Sequence, residues 1–175
     1  SPFFIDLAQE TPPLASTTLF TRAAPLWLEL GCGKGQFAAQ QAEQHPGINY
    51  LALDIRPVRV IRTCQKAEER SADNLRGVVC DALIFLKEWL GPACLEKIFI
   101  NFPDPWPKKR QQKKRFVNEA LIDLISSRLV SPGQLHIASD DHDYATAMWQ
   151  LINNHPCFTH TLGKTGLVTN HPDYI

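Results

Sequence analysis

Asp104 and Trp106 stand between three prolines in the stretch FPDPWPKKRQQKKR, residues 102–115. Proline fixes φ and disfavours the helical region for the residue before it, so prolines at alternate positions predict a stiff loop with extended residues between them. A carboxylate held in such a loop accepts from N–H groups, the N1 and exocyclic amino hydrogens of guanine among them. An indole beside it offers a face on which a base stacks, worth about 1–3 kcal/mol per base in proteins that bind single strands. The KKRQQKKR that follows can neutralise phosphates, and its two glutamines add hydrogen-bonding groups without charge. The opposing reading is a core tryptophan and a capping aspartate in an ordinary turn, but three alternating prolines exceed what turn chemistry asks for.

A second constellation lies earlier in the chain. LELGCGKGQF places Gly31, Gly33 and Gly35 in a strand-to-helix turn, where missing side chains let the backbone approach a ligand and helix amides can point at it. The spacing is GxGxG; the third glycine of a dinucleotide GxGxxG would fall on Gln36. Asp54 follows Gly35 by 19 residues, close to the distance at which an acid accepts from ribose hydroxyls. Asp81 ends another apolar run, where a carboxylate can accept from an adenine amino group, and Glu29 precedes the glycines, where it can meet a positive part of a ligand. A lone aspartate after a strand is commonly a helix cap. Three acids together with the glycines favour a nucleoside site.

These residues need a scaffold that gathers strand ends. Apolar runs at 26–31, 50–55, 75–82, 97–102 and 134–140 predict five strands, with helices over 35–44, 58–71, 82–90, 117–129 and 143–153. One or two weak strands are expected within 158–168. The alternation predicts an α/β fold with a mostly parallel central sheet and helices on both faces, whose ligands bind at the carboxyl ends of the strands. Residues 1–24 read as an arm without clear periodicity, ahead of one domain over 25–175.

The 175 residues suffice for a core without disulfide or metal. Five cysteines, scattered and never spaced as CxxC, argue against a zinc site and a disulfide framework and fit a reducing cytoplasm. No stretch has the length of a membrane helix, the start lacks a signal-peptide layout, and the six histidines show no metal spacing. The 18 basic and 18 acidic residues balance, yet residues 108–115 hold six of the basic ones and no acid, leaving 12 against 18 elsewhere. One basic patch on an acidic body suits a polyanion presented at one place, not indiscriminate binding. The first residue is not methionine and HPDYI ends without a cap or polar tail, so both ends are expected to be cuts from a longer protein.

The glycine loop with its strand-end acids resembles class I S-adenosylmethionine-dependent methyltransferases. An NAD-linked oxidoreductase fits less well, because the loop spacing is wrong for a pyrophosphate and no hydride-transfer constellation accompanies it. FPDPW with its two KKR triplets, preceded by ELGCGKG and followed by ASDDHDY, resembles bacterial tRNA (guanine-N7)-methyltransferases over about residues 26–144. That resemblance implies a Rossmann-like fold, S-adenosylmethionine as cofactor and tRNA as partner, with methyl transfer to N7 of a variable-loop guanine. Position by position it implies Glu29, Gly31, Gly33, Gly35, Asp54, Asp81 and Asp104 at the cofactor, Asp104 also as the active-site acid. Lys108 and Asp140 would contact the substrate, and Arg110, Gln111, Gln112, Lys113, Lys114 and Arg115 the RNA. A metal and a membrane are not implied, and a monomer is favoured. The chain departs from the family with Pro107 where histidine is usual, Gln111 and Gln112 where a histidine pair is usual, and no C-terminal TxxE segment. Two alternatives stay open: an amino-group methyltransferase, since NFPDPW distantly resembles the Asn/Asp-Pro-Pro-aromatic loop, and a noncatalytic RNA-binding module on the same scaffold.

Overall fold

A computed structural model describes residues 1–161, apart from the side chain of Lys109. Six strands form one sheet: β1 (Phe4–Ile5), β2 (Leu26–Leu30), β3 (Asn49–Asp54), β4 (Leu75–Val79), β5 (Leu95–Asn101) and β6 (Leu129–Ala138), in the order β1-β4-β3-β2-β5-β6. The pairings β1 with β4, β4 with β3, β3 with β2 and β2 with β5 are all parallel. β2 and β3 are buried at every position, which is why LWLEL and NYLALD read as nearly unbroken apolar runs. From β2 the chain goes to β3 on one side and β5 lies on the other. The strand order therefore reverses between β2 and β5, the place where open α/β sheets bind ligands.

The chain divides into two compact units, one of Ser1–Asn101 with Ser127–Ile137, the other of Phe102–Ser126 with the residues from Ala138 onward. In the first, α1 (Ser16–Leu19), α2 (Gln36–Gln44), α3 (Pro57–Glu69) and α4 (Ala82–Ile84) accompany the sheet. Pro57 opens α3 at a position where its missing N–H leaves no bond unmade, and Val60, Cys64 and Ala67 form the buried stripe. Trp27, Tyr50 and Phe99 meet at the core, with the Trp27 indole N–H donating to Glu96 at 2.7 Å.

Three features differ from the sequence reading. The expected arm joins the sheet: Phe4 and Ile5 pair with Gly77 and Val78, Phe3 and Ile5 are buried, and Leu14, Leu19 and Phe20 join the core. Two paired residues are too few to register a period. The helix expected over 82–90 passes after Ile84 into a π-helical turn, Phe85–Trp89, whose backbone has outside partners. Arg128 Nε donates to the Leu86 carbonyl at 2.7 Å and the Leu14 N–H to that of Trp89 at 2.7 Å. Finally β6 begins at Leu129 and runs through Pro132, where a break was expected. It is the edge strand, where a residue without an N–H need cost the ladder nothing.

The second unit holds a 3₁₀ segment (Lys109–Lys114) and α6 (His142–Asn153); α5 spans Glu119–Arg128. Asp141 caps α6 by accepting from the Tyr144 N–H at 2.7 Å, and Asn118 Oδ1 accepts from the Leu121 N–H at 3.1 Å at the start of α5. The strands expected over 158–168 lie outside the described residues from 162 onward, and 158–161 carry none.

Candidate functional site

In the first unit, Gly31, Gly33 and Gly35 adopt φ of +83°, +54° and +73°. The N–H groups of Gly31 and Cys32 both donate to the Leu53 carbonyl at 2.8 Å, which folds the turn against the end of β3. A Cβ at Gly31 or Gly33 would meet nothing within 4 Å, so both open on to free space. At Gly35 it would stand 2.3 Å from Thr63 Oγ1 and 2.7 Å from Thr63 Cα. The first two glycines leave room and the third permits α2 and α3 to pack. Gly35→Ala is therefore expected to lose about 2–4 kcal/mol, from left-handed strain plus overpacking. Gly33→Ala carries left-handed strain without the overpacking and should lose about 1–2 kcal/mol in a thermal scan.

Glu29 is 1% exposed and its pKa is pushed up to about 7, chiefly by burial. Asn101 Nδ2 donates to its Oε1 at 2.9 Å, which favours the charged form, as does the nearby Tyr50 hydroxyl; Asp54 opposes it. Oε2 of Glu29 and Oδ1 of Asn101 are buried without a hydrogen bond among the described residues. Both are acceptors, and they sit on β2 and β5, the two strands flanking the switch point. Two orphaned acceptors, one of them acidic, ask for a cationic donor.

Asp54, 3% exposed, is heavily engaged: Oδ1 accepts from the Arg56 N–H at 2.9 Å, and Oδ2 from the Gly33 N–H at 3.1 Å and Arg59 Nη1 at 3.2 Å. Asp81 caps α4, its Oδ1 accepting from the N–H groups of Leu83 and Ile84 at 2.9 and 3.1 Å. Its Oδ2 has no hydrogen bond among the described residues. The sequence reading overlooked the apolar residues beside these acids: Ile55 is 64% exposed, Ile84 53% and Leu83 38%. Their signal was available, since an aliphatic side chain right after a strand-end acid has left the sheet before it can be buried. Cys32 lies in the glycine turn, but burial raises its thiol pKa to about 12, so it is no nucleophile.

In the second unit the proline loop departs from expectation. Phe102 and Trp106, each preceding a proline, have φ of +50° and +44° and are not extended. Such conformations cost about 1–3 kcal/mol each and persist only where the surroundings impose them. The Phe102 N–H donates to the Ala138 carbonyl at 2.9 Å. Arg115 Nε donates to the Pro105 carbonyl at 2.9 Å, and its guanidinium lies 4.5 Å from the centre of the Tyr144 ring. Tyr144 is 1% exposed and its hydroxyl accepts from the Val117 N–H at 3.0 Å.

Asp104 and Asp140 are exposed, as are Lys108, Arg110, Gln112, Lys113 and Lys114, while Gln111 and Arg115 are half-buried. Lys114 Nζ covers the Trp106 ring at 5.0 Å, so a stacking base would have to displace it. Arg115 is turned on to the Pro105 carbonyl and the Tyr144 ring. Among the described residues no group of His, Cys, Asp and Glu is placed to hold a metal ion, and no helix is long and apolar enough to cross a membrane.

Strand order, glycine turn and strand-end acids define a Rossmann-like methyltransferase fold. Solved structures share it: precorrin-6y C5,15-methyltransferase from Geobacter metallireducens matches with a TM-score of 0.61 and 18% identity, over 77% of this chain and 64% of that one. The 30S ribosomal A1408 methyltransferase from an uncultured bacterium matches at 0.55 and 15% identity, over 73% of this chain and 61% of that one. In sequence, the family model described as "Putative methyltransferase" matches residues 23–173. The tRNA (guanine-N(7)-)-methyltransferase of Nitrosospira multiformis is 36% identical over 82% of this chain, and that of Halorhodospira halophila 38% identical over 88%. The chain belongs to the tRNA (guanine-N7)-methyltransferase family. It spans 62% of the first relative's length and 67% of the second's.

Proposed function

We propose that the protein transfers the methyl group of S-adenosylmethionine to N7 of a guanine in tRNA, in the variable loop. The observation that carries the cofactor reading is the buried Glu29–Asn101 pair with its two orphaned acceptor oxygens. An α-ammonium group, with three N–H donors and a positive charge, supplies both oxygens with a partner and the carboxylate with a counter-ion. The space over Gly31 and Gly33 would hold the chain of the same ligand, Ile55 and Leu83 would offer aliphatic surface to its adenine ring, and Asp81 would accept from the adenine amino group. Asp54 meets the ribose only if a hydroxyl replaces the half-exposed Arg59 or uses a remaining lone pair. The substrate reading rests on the relatives' named activity and on the exposed basic segment.

When bound, the cofactor supplies an electrophilic methyl on a sulfonium sulfur. Guanine N7 offers a lone pair and no proton, so no general base would be needed for it to take that methyl group. What remains for the protein is positioning and charge. Asp104 accepts from the N1 and amino hydrogens of the guanine, and these bonds strengthen as the purine becomes cationic. The target base must leave its tertiary contacts in folded tRNA, and Trp106 receives it once Lys114 moves aside. Arg110 and Lys113 contact phosphates. Each changed singly to alanine should weaken tRNA binding and reduce the slope of log affinity against log salt by about 1, measured by filter binding.

The test is to incubate the protein with an unmodified tRNA transcript and methyl-labelled S-adenosylmethionine and then digest to nucleosides. Label in 7-methylguanosine is expected. Label on an exocyclic amine would replace this reading by the amino-group one, and cofactor binding without transfer to any RNA would favour a noncatalytic module.

A further inference from the structure

The proline loop is short of donors. Pro103, Pro105 and Pro107 have no N–H, so the loop cannot hold its shape by its own backbone bonds, although Phe102 and Trp106 are in left-handed conformations that a free loop would leave. Its start is tied by the Phe102 N–H on the Ala138 carbonyl at 2.9 Å. Its middle is tied by Arg115 Nε on the Pro105 carbonyl, also at 2.9 Å. That carbonyl belongs to the residue between Asp104 and Trp106. The guanidinium is fixed in turn over the ring of Tyr144, which is 1% exposed and whose hydroxyl takes the Val117 N–H, two residues beyond Arg115. Lys108, Arg110, Lys113 and Lys114 are exposed, whereas Arg115 is half-buried with its Nε–H on the Pro105 carbonyl.

We infer that Arg115 is a positioning residue: clamped between the Tyr144 ring and the Pro105 carbonyl, it holds the strained 102–107 loop in the shape that presents Asp104 and Trp106. This rests on the reading of Asp104 and Trp106 as the groups that receive guanine. It takes Arg115 off the list of phosphate contacts and makes the final cation of the run part of the loop's support. The role requires arginine. A planar guanidinium both stacks on the ring and offers an in-plane Nε–H donor, while a lysine ammonium keeps charge and donors but only at one point, and cannot lie flat on the ring and reach the carbonyl together.

Arg115→Lys separates the two roles, with Arg115→Ala beside it and a thermal scan of each to show that the fold is kept. Backbone hydrogen exchange is followed in the RNA-free protein on the peptide that carries the Phe102 amide, whose N–H on the Ala138 carbonyl ties the start of the loop. For Arg115→Lys the expected result is exchange faster by about 10-fold or more in that peptide and unchanged in the sheet. With tRNA, kcat falls about 10- to 100-fold, as for a misplaced catalytic group, while tRNA affinity stays within about threefold and its salt slope is unaltered. The inference is overturned if Arg115→Lys exchanges and turns over like the parent while Arg115→Ala loses tRNA affinity and about one unit of salt slope, the behaviour of a phosphate ligand. Unchanged exchange in the loop overturns it whatever the rate does, and faster exchange with undiminished kcat overturns the positioning role. The exchange measurement needs no catalysis, so a parent protein that methylates no tRNA would sink the functional reading and still leave the clamp to be judged.

Discussion

Asp104→Ala lowers turnover on tRNA by about 100- to 1000-fold, the range seen when one preorganised group that stabilises developing charge is removed. The carboxylate is exposed and makes no hydrogen bond to the described protein, so its loss opens no cavity and strands no buried partner. The melting temperature should stay within about 2 °C of the parent's, since exposed substitutions rarely exceed half a kcal/mol. Affinity for tRNA should change by less than about threefold, because phosphates supply most of it. Asp104→Asn shows how much depends on charge. An asparagine oxygen still accepts one hydrogen bond but does not oppose the positive charge gained by the purine, so it should recover little of the rate. Single-turnover kinetics with saturating tRNA measures this step free of product release; a parent-like rate in Asp104→Ala would remove Asp104 from the reaction.

The second large effect is set by Glu29. Its pKa lies near 7 in the folded protein against an ordinary 4.5. The cofactor-free protein therefore holds this proton up to about neutral pH while the unfolded chain has released it. Glu29's contribution to stability is fully present below pH 4.5 and is lost as pH rises to about 7, by about 3 kcal/mol for a shift of this size. Glu29→Gln abolishes that dependence and should melt higher than the parent at pH 8 without ligand. Cofactor binding runs the other way. An ammonium group needs the carboxylate, so the parent's affinity should rise about tenfold per pH unit up to about 7. It should level off there and decline once the α-amino group, with a pKa near 8, loses its own proton. Glu29→Gln should bind at least about 100-fold more weakly at pH 7.5, as expected when a buried charge-assisted hydrogen bond is removed, with no rising limb below 7. Calorimetric titration across pH 5.5–8.5 reads both; an equal pH profile in parent and variant would mean that Glu29 does not meet the ammonium.

Local patterns in the sequence were most informative where one residue type had one physical use. β2 and β3 are buried on both faces and announced themselves as apolar runs, and the acids that end them could only stand at the sheet's carboxyl edge. Gly31, Gly33 and Gly35 stand in the strand-to-helix turn as expected, and all three also adopt left-handed backbone, which glycine alone takes at no steric cost. What escaped was decided by tertiary partners. β1 is ordered by pairing with β4 and by burial of Phe3 and Ile5, neither of which leaves a local period. β6 passes through Pro132 because it occupies an edge, a property of topology that composition does not carry. Trp106 takes a left-handed φ against the usual bias before proline, in a loop whose Pro105 carbonyl is held by a residue ten positions away. For the same reason Arg115 read as one more member of a charge run. Asp54 is the subtler case: its place at the end of β3 was legible, but not that Gly33, Arg56 and Arg59 would already occupy its oxygens.

Methyl transfer to guanine N7 requires that atom, and a substrate without it gives the decisive comparison. Two tRNA transcripts are compared, one unmodified and one carrying 7-deazaguanosine at the variable-loop target, where a C–H replaces the nucleophilic nitrogen and the Watson–Crick edge is kept. Label from methyl-labelled S-adenosylmethionine is expected on the first transcript and none on the second, with both bound equally well. Equal labelling of the two would contradict transfer to N7, because the methyl group would then be going to another atom.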